Sequence, residues 1–336
     1  MRIGIIAPSY YPVEGGNAVT VRRIERYLRT LSCEVQVFSV DQLPPEEIRE
    51  GLKRFRPQLL HAFHGYHCGR MACALAEDLQ LPYLVTLTGT DVYLALSDQR
   101  SHAVHRALRG AARVVAFDQC VKRRLAGHLP SLEERTVVIP QGVELPAEAE
   151  TAPAVADTVT FLLPAGIRPV KDVLFPLHPF RELHAAHPQA RLFLVGPVLD
   201  AAYAAEVMEA LDGHPCAKYL GAVEHHAMDA LYRSADVVLN TSLMEGGMAN
   251  SVLEALAHAK PLLAADIEGN RSLVKEGVTG LLYRDVEQFK SQAKRLVSDA
   301  SLRLRLGKNG RVLVQEKYPP EKEAEAYLEL YLSILS

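Results

Sequence analysis

Two cations stand three residues apart in the segment Pro164-Ala165-Gly166-Ile167-Arg168-Pro169-Val170-Lys171-Asp172, directly after an apolar run. A guanidinium forks onto phosphate oxygens and an ammonium adds a compact point charge, so Arg168 and Lys171 suit a diphosphate. A departing nucleoside diphosphate gathers negative charge, and cations fixed beside it would speed its departure. The pair also reads as two solvated loop cations.

A second segment, Thr241-Ser242-Leu243-Met244-Glu245-Gly246-Gly247-Met248-Ala249-Asn250-Ser251-Val252-Leu253-Glu254, follows the apolar run DVVLN. Its Gly-Gly pair is expected to open a helix, so the amides of Gly247, Met248, Ala249 and Asn250 would present N–H groups to a phosphate. Glu254 would then lie about two turns along that helix, where a carboxylate can accept both hydroxyls of a ribose. Glu245, in the loop with Gly246, would contact a transferred sugar. The alternative is a helix-capping acid and a surface glutamate. Near the start, Gly15 and Gly16 precede the helical pattern AVTVRRIERYLRTL. Paired glycines there permit close approach of a phosphate, or simply make a tight turn. The chain carries no G-x-G-x-x-G, which argues against a dehydrogenase.

His61, His64 and His67 fall in HAFHGYHC. They read as a metal set, as polar lining of a binding site, or as packing; no accompanying carboxylates or cysteines favour the metal. Thr88 and Gly89 end another apolar run, with Thr90 or Asp91 as the cap of the next element. Base contacts are expected from backbone near Val195-Gly196 and Gly221-Ala222.

The elements that must position these residues alternate in type. Apolar runs at 2–7, 35–40, 59–63, 83–87, 113–117 and 136–140 are separated by helical patterns near 17–31, 46–55, 68–79, 98–109 and 118–128. The second half has runs at 158–164, 191–196, 218–221, 236–240 and 261–265. Short β-branched runs separated by ten-residue helices imply parallel β-α-β units. The fold class expected is therefore α/β, two Rossmann-like, doubly wound parallel-sheet domains. Ligands of such sheets bind beyond the carboxyl ends of the strands, where the residues above lie. The stretch ELPAEAETAPAVADT at 144–158 reads as a linker. Pro319 and Pro320 end one helix and begin another, whose Ala324, Tyr327, Leu328, Tyr331 and Leu332 share one face. The expected division is 1–148, 149–318 and a terminal helix at 319–336.

The chain has 336 residues, 49% hydrophobic and 23% charged, enough for two cores of ordinary composition. A net charge of −3 gives no global basic field, which excludes nucleic acid as the expected partner. Five cysteines without a C-x-x-C imply a reduced, cytoplasmic protein. No apolar run is long enough to span a bilayer, although a peripheral membrane contact stays compatible with the sequence.

Taken together, Gly15-Gly16, the Arg168…Lys171 loop, EGG…LEAL and DIEGNRSLVKEGVTGLLY resemble glycosyltransferase family 4, of GT-B fold. The resemblance covers nearly the whole chain and is densest from 158 to 285. It implies a retaining transferase that moves a hexosyl or N-acetylhexosaminyl group from a nucleotide sugar, with UDP as the default, to an acceptor that is a small molecule, a lipid or a glycan. The two domains would face a cleft, with the nucleotide mainly on the second and the acceptor on the first, and the terminal helix would return to the first. Arg168 and Lys171 match the family's diphosphate pair, Glu254 its ribose-binding glutamate and Glu245 the glutamate nearer the sugar. The resemblance implies no cofactor and, with no D-x-D present, no metal. Two further departures are visible. The family places seven residues between its glutamates, whereas eight separate Glu245 from Glu254, so either the loop bulges or Gly246 takes the glutamate position. Thr88 stands where a histidine is common, so a sugar contact would be absent or moved to His61, His64 or His67. A non-catalytic nucleotide-sugar binder is the alternative. Finer likeness runs two ways: LTGTDVY and RPVKD resemble bacterial selenosugar synthases, which would mean a small inorganic acceptor, while GIRPVKD, LVGPVLD and KRLVSD resemble animal glycosyltransferase one-domain-containing proteins.

Overall fold

The apolar runs at 2–7, 59–63, 83–86 and 237–240 form strands buried on both faces, as the inner strands of a parallel sheet flanked by helices must be. The computed structural model describes residues 1–11, 15–93, 96, 98–147 and 158–336. The expected linker lies largely outside them, at 148–157, and with it the expected boundary at 148/149. Two compact units result. The first comprises Met1–Gly142, Gly246–Met248 and Tyr318–Ser336; the second comprises Val143–Glu245 and Ala249–Lys317.

In the first unit the strands are β1 (Arg2–Ala7), β2 (Glu34–Ser39), β3 (Leu59–Phe63), β4 (Tyr83–Thr86), β5 (Arg113–Ala116) and β6 (Thr136–Val138). They pair in parallel in the order β2-β1-β3-β4-β5-β6. Chain direction across the sheet reverses between β1 and β3, so the loops after these two strands diverge and leave a crevice. Gly15 and His64 lie on those loops.

In the second unit β7 (Val159–Pro164), β8 (Ala190–Val195), β9 (Ala217–Tyr219), β10 (Val237–Asn240), β11 (Leu262–Ala265) and β12 (Gly280–Tyr283) pair in parallel as β12-β11-β10-β7-β8-β9. Here the reversal falls between β7 and β10. The Arg168 loop follows β7 and the Glu245 loop follows β10. Strand β12 was not among the expected runs. Its four residues, GLLY, carry neither alternation nor a β-branched side chain, and its pairing with β11 identifies it.

The last helix, Pro320–Leu335, belongs to the first unit. Ala324, Tyr327 and Tyr331 are fully buried as the helical period requires. Leu332 is instead 55% exposed, and Glu323 and Leu330 complete the buried face. Glu323 is tolerated there because Arg23 of helix Gly16–Thr30 meets it, Nε to Oε2 at 2.7 Å, with side chains only 7% and 1% exposed.

Candidate functional site

In the second unit, the chain leaves β7 and makes a short 3₁₀ turn, Pro169–Lys171, with Arg168 extended before it and Asp172 left-handed (φ +43°) after it. Proline at the first position pre-sets the turn. The turn is stitched to the loop after β10: Thr241 Oγ1 donates to the Lys171 carbonyl (2.8 Å) and the Leu243 amide to the Val170 carbonyl (3.0 Å). Lys171 Nζ then reaches Glu245 Oε1 at 2.6 Å, with the two side chains 18% and 9% exposed. The same oxygen accepts Ser242 Oγ (2.6 Å) and Asn240 Nδ2 (3.2 Å). Burial alone would push the Glu245 carboxyl up. The Lys171 ammonium and the hydrogen bonds outweigh it and hold the carboxyl below its ordinary range.

Behind Glu245, Asn270 Nδ2 donates to Asn240 Oδ1 (3.1 Å) and to the Ala265 carbonyl (2.9 Å). Gly269 lies so close to Glu245 that a Cβ would sit 2.7 Å from the Glu245 Cβ. Sequence reasoning missed Asn240, Ser242 and Asn270. Asn240 and Ser242 carried a signal, polar residues at the carboxyl end of an apolar run, whereas Asn270 lies in helix Glu268–Arg271, and only the fold joins the three. Arg168 remains distinctive in another way: its Nε is buried without a hydrogen-bond partner. Such a group is costly in isolation and is commonly satisfied by a ligand or water.

Helix Asn250–Ala257 begins later than expected, with Ala249 as its cap residue. Gly247 (φ +81°) and Met248 (φ +43°) are left-handed and cannot belong to a right-handed helix, so Gly-Gly does not open it. These two successive left-handed residues lie between Glu245 and Glu254. Glu254 is consequently about one turn into the helix, not two. Its Oε2 accepts the Tyr232 hydroxyl at 2.8 Å, and His225 Nε2 stands 3.8 Å from Oε1. Gly221, left-handed at φ +86°, has no atom within 4 Å of where a Cβ would be, so its backbone is accessible.

In the first unit, helix Gly16–Thr30 starts with Gly15 as its cap residue, which has no side chain to close the N-terminus, and its first turn holds no acid. Asp91, fully buried, accepts the amides of Thr88 (3.1 Å), Gly89 (2.8 Å) and Gly65 (2.8 Å), binding the loops after β3 and β4 together. Gly89 (φ +129°) lies against Gly246: a Cβ on Gly246 would be 2.2 Å from the Gly89 Cα. Position 246 therefore cannot carry a glutamate side chain. A Cβ on Gly247 would meet Asp118 Oδ2 at 2.8 Å, and Met248, 2% exposed, accepts Gln141 Nε2 on its carbonyl at 2.6 Å.

The histidines do not act as a set. His61 is fully buried between Tyr331 Oη and Thr86 Oγ1, each at 2.7 Å, and burial lowers its pKa to about 3. It is core, not lining. His64, 3% exposed and left-handed (φ +78°), accepts the Tyr66 and His67 amides on Nδ1 and bonds Thr90 Oγ1 through Nε2. Since Nδ1 accepts, Nε2 carries the proton and donates. His64 thus holds its own loop in shape, and His67 is the exposed member.

Comparison with known proteins bears on the fold. Residues 156–299 match the family profile "Glycosyl transferases group 1", and residues 42–146 match "Glycosyltransferase Family 4". The chain has the GT-B fold, and these two stretches of it are similar to glycosyltransferases. "Glycosyltransferase 1 domain-containing protein 1" of Xenopus tropicalis is 26% identical over 333 residues, 95% of this chain and 94% of that protein. Among solved structures, Anabaena Alr3699/HepE in complex with UDP-glucose superposes with a TM-score of 0.81 at 18% identity, covering 99% of this chain and 100% of that one. Sucrose-phosphate synthase from Thermosynechococcus elongatus gives 0.81 at 19% identity, covering 99% and 98%. Among the described residues, no helix is long and apolar enough to cross a membrane, and no group of three or more His, Cys, Asp or Glu residues could hold a metal ion.

Proposed function

We propose that this protein is a retaining glycosyltransferase that moves a hexosyl or N-acetylhexosaminyl group from a UDP-sugar to an acceptor without a metal. The observation that carries the reading is the loop after β7, which carries both a buried, unpartnered Arg168 Nε and, three residues on, the Lys171 ammonium held on Glu245. Arg168 and Lys171 bind the diphosphate, with amides around Gly247 and Ala249 assisting. Glu254 binds the ribose, the backbone at Gly221 meets the base, and Glu245 touches the donor sugar. Gly15, Gly16 and Thr88 belong to the acceptor side. Residues 1–148 then serve the acceptor and 149–318 the donor, with 319–336 completing the acceptor domain.

In the reaction the bond from the anomeric carbon to the diphosphate oxygen breaks first, giving an oxocarbenium-like sugar. The acceptor oxygen bonds to that carbon on the same face, and its proton passes to the departing phosphate. The bound cations stabilise the charge that the diphosphate gains, so positioning and electrostatics supply the rate. One observation favours a second reading, a non-catalytic nucleotide-sugar binder: Thr88 replaces the usual histidine, while His61 and His64 are occupied within the fold.

The test is a thermal-shift screen against UDP, GDP, ADP and their sugar conjugates. A ligand at 100 times its dissociation constant adds about 2.7 kcal/mol of stability. No shift at millimolar ligand removes the nucleotide-sugar reading. A shift with UDP-sugars, followed by transfer to a glycan, lipid or small inorganic acceptor with retained anomeric configuration, supports the enzyme. The inorganic acceptor is what the likeness of LTGTDVY and RPVKD to selenosugar synthases would require. Binding with neither transfer nor hydrolysis supports the binder.

A further inference from the structure

Glu254 is braced from behind by side chains that have no place in the chemistry above. Tyr232, on helix Met228–Ser234, is 1% exposed and directs its hydroxyl to Glu254 Oε2 at 2.8 Å; the Ser251 carbonyl is farther, at 3.4 Å. The Tyr232 ring stacks on His258, centroids 4.9 Å apart and planes at 27°. His258 is fixed in turn at both ring nitrogens, Nδ1 to the Glu254 carbonyl (2.7 Å) and Nε2 to Asp229 Oδ1 (2.9 Å). Asp229 Oδ2 is held by Arg233 Nε at 2.6 Å. Burial and the neighbouring carboxylate push the Tyr232 hydroxyl far up, so it stays a donor.

The final torsion of a glutamate is broad and nearly free, and a carboxylate that reads a ribose must present its lone pairs in one plane. A buried donor on one oxygen sets that plane. Glu254 keeps 16% of its side-chain surface exposed, so the carboxylate still meets solvent while it is held.

We propose that Tyr232 is a positioning residue: its hydroxyl, locked by the His258 stack, orients the Glu254 carboxylate so that the site selects ribonucleotides over 2′-deoxyribonucleotides. This rests on the ribose role given to Glu254 above.

The experiment is calorimetric titration of UDP, ADP and GDP, each beside its 2′-deoxy counterpart, into the wild type, Tyr232→Phe and Glu254→Ala, with inorganic pyrophosphate as a probe that lacks ribose. A hydrogen bond to a carboxylate corresponds to a ribose preference of about 10-fold or more in the wild type. Tyr232→Phe should narrow it to about 3-fold or less and leave pyrophosphate affinity unchanged. A purely structural role for Tyr232 would weaken all probes together and keep the ratio, which overturns the proposal. A wild type that discriminates, with Tyr232→Phe discriminating equally, also overturns it. A wild type that binds nucleotides without ribose preference, matched by Glu254→Ala, removes the ribose role and this proposal while nucleotide binding stands. A wild type that binds no nucleotide removes the parent reading. Should Tyr232→Phe fail to fold, His258→Leu provides the readout, since it deletes the stacking ring but keeps the tyrosine hydroxyl; an unchanged ratio there overturns the proposal equally.

Discussion

Replacing Lys171 with methionine keeps the length of the side chain and removes its charge from Glu245 Oε1, 2.6 Å away. The partner is left in a pocket where it is 9% exposed, with Ser242 and Asn240 as remaining donors. Deleting one member of a buried pair costs about 3–5 kcal/mol. The 18% exposure of Lys171 and the two surviving hydrogen bonds reduce this, so about 2–3 kcal/mol is expected. For a unit of this size that lowers its melting temperature by roughly 4–12 °C. In the wild type the Glu245 carboxyl is held below its ordinary range. Its contribution is therefore present above that range and lost as pH falls through the lowered value. Without Lys171, burial dominates and the carboxyl moves above its ordinary range, so the variant is relieved as Glu245 protonates. The deficit is largest at pH 8 and shrinks toward pH 4. The assay is thermal melting of wild type, Lys171→Met, Glu245→Gln and the double variant across that range. The double variant should be more stable than additivity of the two single variants gives. Additive losses with a deficit flat in pH would refute the coupling.

Arg168→Ala should reduce UDP affinity about 10-fold or more while leaving the melting temperature within a few degrees, because its buried Nε makes no hydrogen bond within the protein. Titration and melting together check this, and a large stability loss with intact binding would contradict it. Gly246→Ala should cost about 1–3 kcal/mol by overpacking against the Gly89 Cα, 2.2 Å from the new methyl. Gly127→Ala, a helical position with nothing within 4 Å, should be neutral or slightly stabilising; equal melts for the two would be inconsistent with the close approach. His61, with its pKa lowered to about 3, resists charging when folded but not when unfolded. Its contribution should make stability fall as pH drops from 6.5 toward 3, by about 1.4 kcal/mol per pH unit. Following that slope in denaturation melts, with His61→Gln flattening it, tests the assignment.

The strands were legible because a strand buried on both faces must be apolar along its whole length, and the glycines and prolines between them mark where the chain turns. Boundaries agreed within a residue or two at β1, β3 and β8, where both signals are strong. Strand β12 was missed because GLLY shows neither alternation nor a β-branched side chain. The Arg168–Lys171 loop was legible for a related reason: strand, proline turn and paired cations are contiguous in sequence. The last helix was read correctly except for Leu332, since a hydrophobic period says which residues suit a buried face and not which are covered.

By itself, then, the sequence determined two parallel α/β sheets and the loops that carry charge at their carboxyl ends, because both follow from interactions within a dozen neighbouring residues. Tertiary structure decided the partners. Lys171 meets Glu245 across 74 positions and Asn270 meets Asn240 across 30. Gly246 is required to be bare by the Gly89 backbone, and His61 is carried into the core by Tyr331, 270 positions away. Each of these depends on which strands become neighbours, a choice made by burying the whole sheet at once rather than by any local run of residues.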